Sequence, residues 1–254
     1  MQGVLYVSHG SRIPEATAGA IAFINEVKKQ IDIPLQEICF LEISKPDVGQ
    51  GVDNLIKQGA TKIAIVPVLL LRAGHYYQDI PEEIKQLKNK YPLIQFIYGE
   101  PLGVQNRLTN VLVERIEDTN IQPDEGSKIL LVGRGSRSPQ TQKDIEQIAS
   151  NLQLKMNLHV DVCYLAACSP SFEHGLRSSL EENYSRVFVV PYLWFTGVLL
   201  QSMEREINVM EKQGKDFILC SELSKHPIMV EALKDRVQEA IHSNKIYNST
   251  REVR

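Results

Sequence analysis

An α/β protein built from two similar, doubly wound parallel-sheet domains is the architecture the sequence predicts, and two observations carry that expectation. The first is an internal repeat. Val4-Leu5-Tyr6-Val7-Ser8-His9-Gly10-Ser11-Arg12 is echoed 125 residues later by Ile129-Leu130-Leu131-Val132-Gly133-Arg134-Gly135-Ser136-Arg137. Phe40-Leu41-Glu42-Ile43-Ser44-Lys45-Pro46 returns 124 residues on as Tyr164-Leu165-Ala166-Ala167-Cys168-Ser169-Pro170. At the same spacing, Ile65-Val66-Pro67-Val68-Leu69-Leu70-Leu71 returns as Val189-Val190-Pro191-Tyr192-Leu193-Trp194-Phe195. Three matches in one order mark a duplicated domain, because solenoid periods are far shorter. The second observation is the alternation of short apolar runs with helical patterns, which is the signature of a parallel sheet covered by helices.

In the first copy, Val4–Val7, Gln36–Leu41, Lys62–Val68 and Leu93–Tyr98 are apolar without strict alternation, as strands buried on both faces should be. Helical patterns lie between and after them. Pro14–Gln30 has apolar residues at Ala20, Ile21, Ile24 and Val27 and a proline suited to a first turn. Pro46–Gln58 stops before Gly59, and Pro81–Lys90 and Val104–Glu117 complete the set. The second copy predicts strands over Lys128–Val132, His159–Tyr164, Arg186–Val190 and Phe217–Leu219. Its helices are predicted over Pro139–Leu154, Pro170–Glu182, Val198–Lys212 and Pro227–His242. The expected domains are therefore residues 1–118 and 128–242, facing a central cleft. A polar linker with Pro123 and Gly126 joins them over 119–127, and a frayed tail fills 243–254.

Composition narrows the partners. Twenty-eight Lys and Arg against 31 Asp and Glu give a net charge of −3, so nothing predicts a grip on nucleic acid. The longest apolar stretch, Ile63–Leu71, falls far short of the ~20 residues that cross a bilayer. The N-terminus lacks a signal peptide's basic start and long apolar run. Cys39, Cys163, Cys168 and Cys220 form no Cys-x-x-Cys pair, and all but Cys168 sit in apolar runs as small core residues would. A reduced, cytoplasmic protein is the expectation.

Ligands of open α/β sheets bind beyond the carboxyl ends of the strands. His9, Glu42 and His75 each follow such an end in the first copy. Two imidazoles and a carboxylate suit a divalent ion such as Fe2+, Co2+, Ni2+ or Zn2+, and are equally a set of bases. The repeat supplies an internal control. Arg134 stands for His9, Ala166 for Glu42, and Val198 or Leu199 for His75, while the surrounding Gly, Ser, Arg and Pro survive. Joint loss of three residues from an otherwise retained pattern points to one working half and one degenerate half. His159, His174, His226 and His242 show no such placement and are expected to be structural or surface residues. The two Gly-containing turns match neither dinucleotide nor P-loop spacing, and no G-x-S-x-G elbow is present.

Taken together, Ser8-His9-Gly10-Ser11-Arg12 after a first strand, Phe40-Leu41-Glu42 before Pro46, and Val66-Pro67-Val68-Leu69-Leu70-Leu71 leading to Gly74-His75 resemble the class II tetrapyrrole chelatases. The two-copy layout is similar to the family's long bacterial form, and the likeness spans about residues 3–240. The resemblance implies a chelatase-like fold and no organic cofactor. It also implies insertion of a divalent metal into sirohydrochlorin, giving sirohaem and releasing two protons, with Fe2+ as metal and Co2+ or Ni2+ as alternatives. It assigns metal binding and catalysis to His9, Glu42 and His75. The polycarboxylate substrate makes Ser11, Arg12, Arg134 and Arg137 candidate contacts. The duplication predicts a monomer, since one chain supplies what a homodimer otherwise would. A metal- or tetrapyrrole-binding protein without chemistry is the alternative from another class.

Overall fold

The structure, a computed structural model, describes residues 1–247 apart from Asn183, Lys212, Gln213, Lys215 and Lys225. It contains two four-stranded, wholly parallel sheets. The first has β1 (Gln2–Ser8), β2 (Leu35–Phe40), β3 (Lys62–Pro67) and β4 (Gln95–Tyr98), ordered β2-β1-β3-β4. The second repeats that order with β5 (Ser127–Gly133), β6 (His159–Tyr164), β7 (Arg186–Tyr192) and β8 (Asp216–Leu219), ordered β6-β5-β7-β8. Register repeats too: Val7 pairs with Cys39 and Pro67, as Val132 does with Cys163 and Pro191. The absence of alternation in β1 has the expected cause, because Val4, Leu5, Tyr6 and Val7 are all fully buried.

Helices α1 (Pro14–Lys28), α2 (Val48–Lys57), α3 (Ile80–Lys90) and α4 (Asn106–Glu117) follow the strands of the first copy. In the second copy α5 (Pro139–Met156), α6 (Phe172–Glu181), α7 (Val198–Glu211) and α8 (Pro227–His242) do the same. Helix α2 begins later than the proline predicted. Pro46 lies in the turn, and Asp47 caps the helix by accepting from Gln50 N–H while the Gln50 side chain returns the bond, a capping box. Likewise Ser171 caps α6, two residues inside the predicted start. The predicted end of α7 at Lys212 lies outside the described residues.

The compact units do not follow the expected domain limits. One comprises Met1–Gly103 with the segment from Met229 onward; the other comprises Val104–Ile228. Each sheet is therefore completed by the last helix of the other repeat. Within the first unit, α8 brings Ala240 against Gly99, where an added Cβ would meet Ala240 Cβ at 3.3 Å. Within the second, α4 packs on β7 and α5. Its Glu114 meets His226 Nε2 at 2.7 Å, and His226 Nδ1 accepts from Ile228 N–H, giving that histidine a structural role.

The tail is also better held than expected over 243–247, whereas residues 248–254 lie outside the described residues. Tyr247 N–H donates to Phe96 O at the β4 edge (2.8 Å), Lys88 Nζ donates to Tyr247 O (2.7 Å), and the Tyr247 ring meets Tyr98 edge-on. An aromatic anchor and two hydrogen bonds to the Tyr247 backbone, one of them from a side chain, offset the entropy that frays most termini. Among the described residues, no helix is long and apolar enough to cross a membrane. Cys39, Cys163 and Cys220 are buried and unpaired in the cores, and Cys168 is partly exposed.

Candidate metal centre

Strand order places the site. In a sheet ordered β2-β1-β3-β4, the connections leave β1 in opposite directions, and the crevice opens where β1 and β3 part at their carboxyl ends. His9 lies one residue beyond β1, Glu42 two beyond β2, and His75 beyond β3 at the end of an eight-residue run. The β-ladder continues past the strands to hold the first two together: Leu41 N–H donates to Ser8 O (2.9 Å) and Glu42 N–H to His9 O (3.0 Å).

That close approach demands glycine. Gly10 adopts φ +91°, and a Cβ there would lie 2.0 Å from Glu42 O. The second copy reproduces the turn: Gly135 has φ +87°, and its Cβ would lie 1.8 Å from Ala166 O. Ile43 and Ala167, each one residue further, share φ +65°. At this turn the backbone is thus the same in both copies, and only the side chains differ.

The structure brings His9, Glu42 and His75 together. One ligand atom from each lies within 4.8 Å of the other two, and this is the only such group of three His, Cys, Asp or Glu among the described residues. Metal–ligand bonds of about 2.0–2.2 Å put two ligands at most about 4.4 Å apart, so closing on an ion takes a few tenths of an ångström. The imidazoles meet edge to face, with centroids 4.7 Å apart at 78°. His9 Nδ1 lies 3.0 Å from Gly10 O. A carbonyl can only accept, so Nδ1 is the donor, and the neutral ring then has its lone pair on Nε2. Glu42 is exposed and both histidines are half-buried, which leaves the site open on one side for a metal to enter and leave.

His75 opens a single π-turn, His75–Asp79, closed by Ile80 N–H to His75 O. Such turns concentrate at functional sites. Asp79, which the sequence reading did not single out, puts Oδ2 2.6 Å from His75 Nδ1. Its signal in the sequence was the four-residue spacing His75-Tyr76-Tyr77-Gln78-Asp79. Behind this turn Tyr76 stacks on Tyr98 at 4.9 Å, and the Tyr98 hydroxyl donates to Tyr76 O. Burial pushes both phenols well up, so they stay neutral and offer the ion no anionic oxygen.

The predicted substrate contacts divide into two kinds. Arg12, Arg134 and Arg137 are exposed, and their side chains make no hydrogen bond or ion pair among the described residues. Ser11 is occupied locally: its Oγ accepts from Ile13 N–H at 3.1 Å, and Ser136 Oγ accepts from Ser138 N–H at the same distance. A bond kept in both copies reads first as a turn bond. A groove of about 670 Å3 in the second unit, lined by Tyr164, Phe172, Arg177, Arg205 and Met210 among others, holds no comparable ligand set.

Comparison with known proteins places the chain and its fold. The CbiX family model matches residues 3–119 and again 128–240, one match for each copy. The chain is 45% identical over 244 residues to the sirohydrochlorin ferrochelatase of Priestia megaterium, covering 96% of this chain and 92% of that one. It is 33% identical to a sirohydrochlorin cobaltochelatase of the same organism, over 95% of this chain and 80% of the other. The solved structure of SirB from Bacillus subtilis with Fe3+ superposes with a TM-score of 0.86 at 38% identity, covering 95% and 96% of the two chains. A duplicated parallel-sheet scaffold, a triad at its strand ends and a family match across both copies lead to one conclusion: the chain belongs to the CbiX family.

Proposed function

We propose that the protein inserts a divalent metal into sirohydrochlorin, acting as a sirohydrochlorin ferrochelatase on Fe2+. The observation that carries this reading is the convergence of His9, Glu42 and His75 at the strand ends of the first copy, in a chain 45% identical to an enzyme of that name. Insertion exchanges two pyrrole N–H protons for M2+, so the site must deliver a cation and accept two protons. A neutral imidazole ligates or accepts a proton through the same nitrogen lone pair, and releasing the ion frees that lone pair for the proton. Glu42 lowers the net charge of the bound ion and is a second acceptor. Two or three protein ligands, with water completing the shell, hold a metal weakly enough to pass it on.

The donor set accepts Fe2+, Co2+ and Ni2+ alike, and the likeness to a cobaltochelatase keeps cobalt insertion as the second reading. Arg12, Arg134 and Arg137, exposed guanidiniums without internal partners among the described residues, are our candidates for the substrate carboxylates. Ser11, whose hydroxyl proton remains available, is a lesser one. We further propose a cytoplasmic monomer working without an organic cofactor, and light scattering on the purified protein tests the oligomeric state. The deciding assay gives the purified protein sirohydrochlorin with Fe2+, Co2+ or Ni2+ and follows the tetrapyrrole spectrum. Iron insertion well above the uncatalysed rate is expected. Rates equal to the protein-free control with all three metals would refute the proposal.

A further inference from the structure

We propose that Asp79 is a positioning residue for metal delivery. It locks the His75 ring into the tautomer and orientation that present Nε2 to the ion. The inference rests on reading His75 as a metal ligand. Asp79 Oδ2 lies 2.6 Å from His75 Nδ1, a short hydrogen bond. An ionised carboxylate can only accept, so Nδ1 must carry the hydrogen and the lone pair is confined to Nε2. His9 reaches the same state through a backbone carbonyl, its Nδ1 lying 3.0 Å from Gly10 O. Both imidazoles of the triad are therefore held through Nδ1, one by main chain and one by a side chain that mutation can remove.

Asp79 ends the π-turn that runs directly into α3 with helical backbone angles, so it has no helix start to cap and its side chain makes no capping bond. It turns back across the π-turn to the histidine instead. The degenerate copy gives independent support. Counting from Val198 or Leu199, the counterparts of His75, Asp79 falls on Ser202 or Met203, within the regular helix α7. Imidazole, carboxylate and π-turn are thus present together in one copy and absent together from the other. A histidine's partner carboxylate typically sustains 10–100-fold of metal affinity or activity by fixing the ring.

The test uses the whole protein and cobalt alone as probe, read by visible absorption. Long-range 1H–15N spectra of histidine-labelled, metal-free protein run alongside, with His75 assigned by its loss in His75→Gln. In the unsubstituted protein His75 should be the Nδ1–H tautomer. Asp79→Ala should shift it toward Nε2–H and raise the cobalt Kd about 10–100-fold. The KM for the tetrapyrrole should stay within about twofold, because no substrate contact is removed. Asp79→Glu, which keeps an acceptor-only group on the turn, should recover part of that affinity. Unchanged cobalt affinity in Asp79→Ala overturns the proposal, as does lost affinity with the tautomer retained. His75→Ala separates the two levels of the argument. If it loses cobalt while Asp79→Ala does not, only the positioning role falls. If His75→Ala itself binds cobalt normally, the metal site has been misassigned.

Discussion

The two copies share strand order and the first strand-end turn, and divide over the side chains placed there and over one helix start. Strand order, register, the positive-φ glycine and the residue at φ +65° recur in both, and so does the serine that closes the first turn. Against that constancy stand His9, Glu42, His75 and Asp79 in one copy, and Arg134, Ala166 and an unbroken helix α7 in the other. We read the features kept in both copies as serving the scaffold, and propose that those of the first copy alone serve the metal. A cation near Arg134 would meet a fixed positive charge, so the second copy lacks the three candidate ligands and carries a group that would repel an ion.

The comparison can be broken most severely at the histidines. His9→Ala and His75→Ala should each lower insertion roughly 10²-fold or more. Because both are partly exposed, melting temperatures should move by no more than about 2 °C. Near-normal turnover in either variant would remove the distinction between the copies.

The glycines sharpen the other side. Gly10→Ala and Gly135→Ala meet the same positive φ and the same backbone oxygen, so each should destabilise the fold by about 2–4 kcal/mol in chemical denaturation. Similar losses in both copies are expected, with the metal site additionally disturbed only by Gly10→Ala. A tolerated substitution in one copy would show that the turns are not equivalent.

A smaller effect is predicted for Arg134→Ala. Losing a charge-assisted bond to a substrate carboxylate should raise the tetrapyrrole KM about tenfold, with metal affinity and maximal rate little changed. Varying the two substrates separately decides it: an unchanged KM retires the contact. Smallest of all, Ser11→Ala and Ser136→Ala should each cost about 0.5–1.5 kcal/mol for one turn bond. A KM effect in Ser11→Ala alone would restore its role as a substrate contact.

Much of this division was legible in the sequence, for identifiable reasons. Strands such as Val4–Val7 announce themselves by continuous burial on two faces, and the duplication let one copy serve as control for the other. What escaped were features that neither periodicity nor repetition encodes. Pro46 reads as a helix start because proline suits a first turn, but the chain uses it in the turn before Asp47. The exchange of α4 and α8 between units is a long-range packing choice, made by contacts such as Ala240 on Gly99 that no local pattern contains. Tyr247 resembled one aromatic in a polar tail until β4 supplied its partner. Asp79 was four residues from a singled-out histidine, yet an aspartate before α3 has an ordinary reading as a cap, and only coordinates reveal which way its carboxylate turns.

The central claim is that metal is handled by the first copy alone, and cobalt located by anomalous scattering in crystals of the whole protein tests it most directly. The account predicts one peak, among His9, Glu42 and His75, which vanishes in the His9→Ala, His75→Ala double variant. A peak at the Arg134 and Ala166 turn of the second copy, or one that persists between the first copy's strand ends without both histidines, would contradict it.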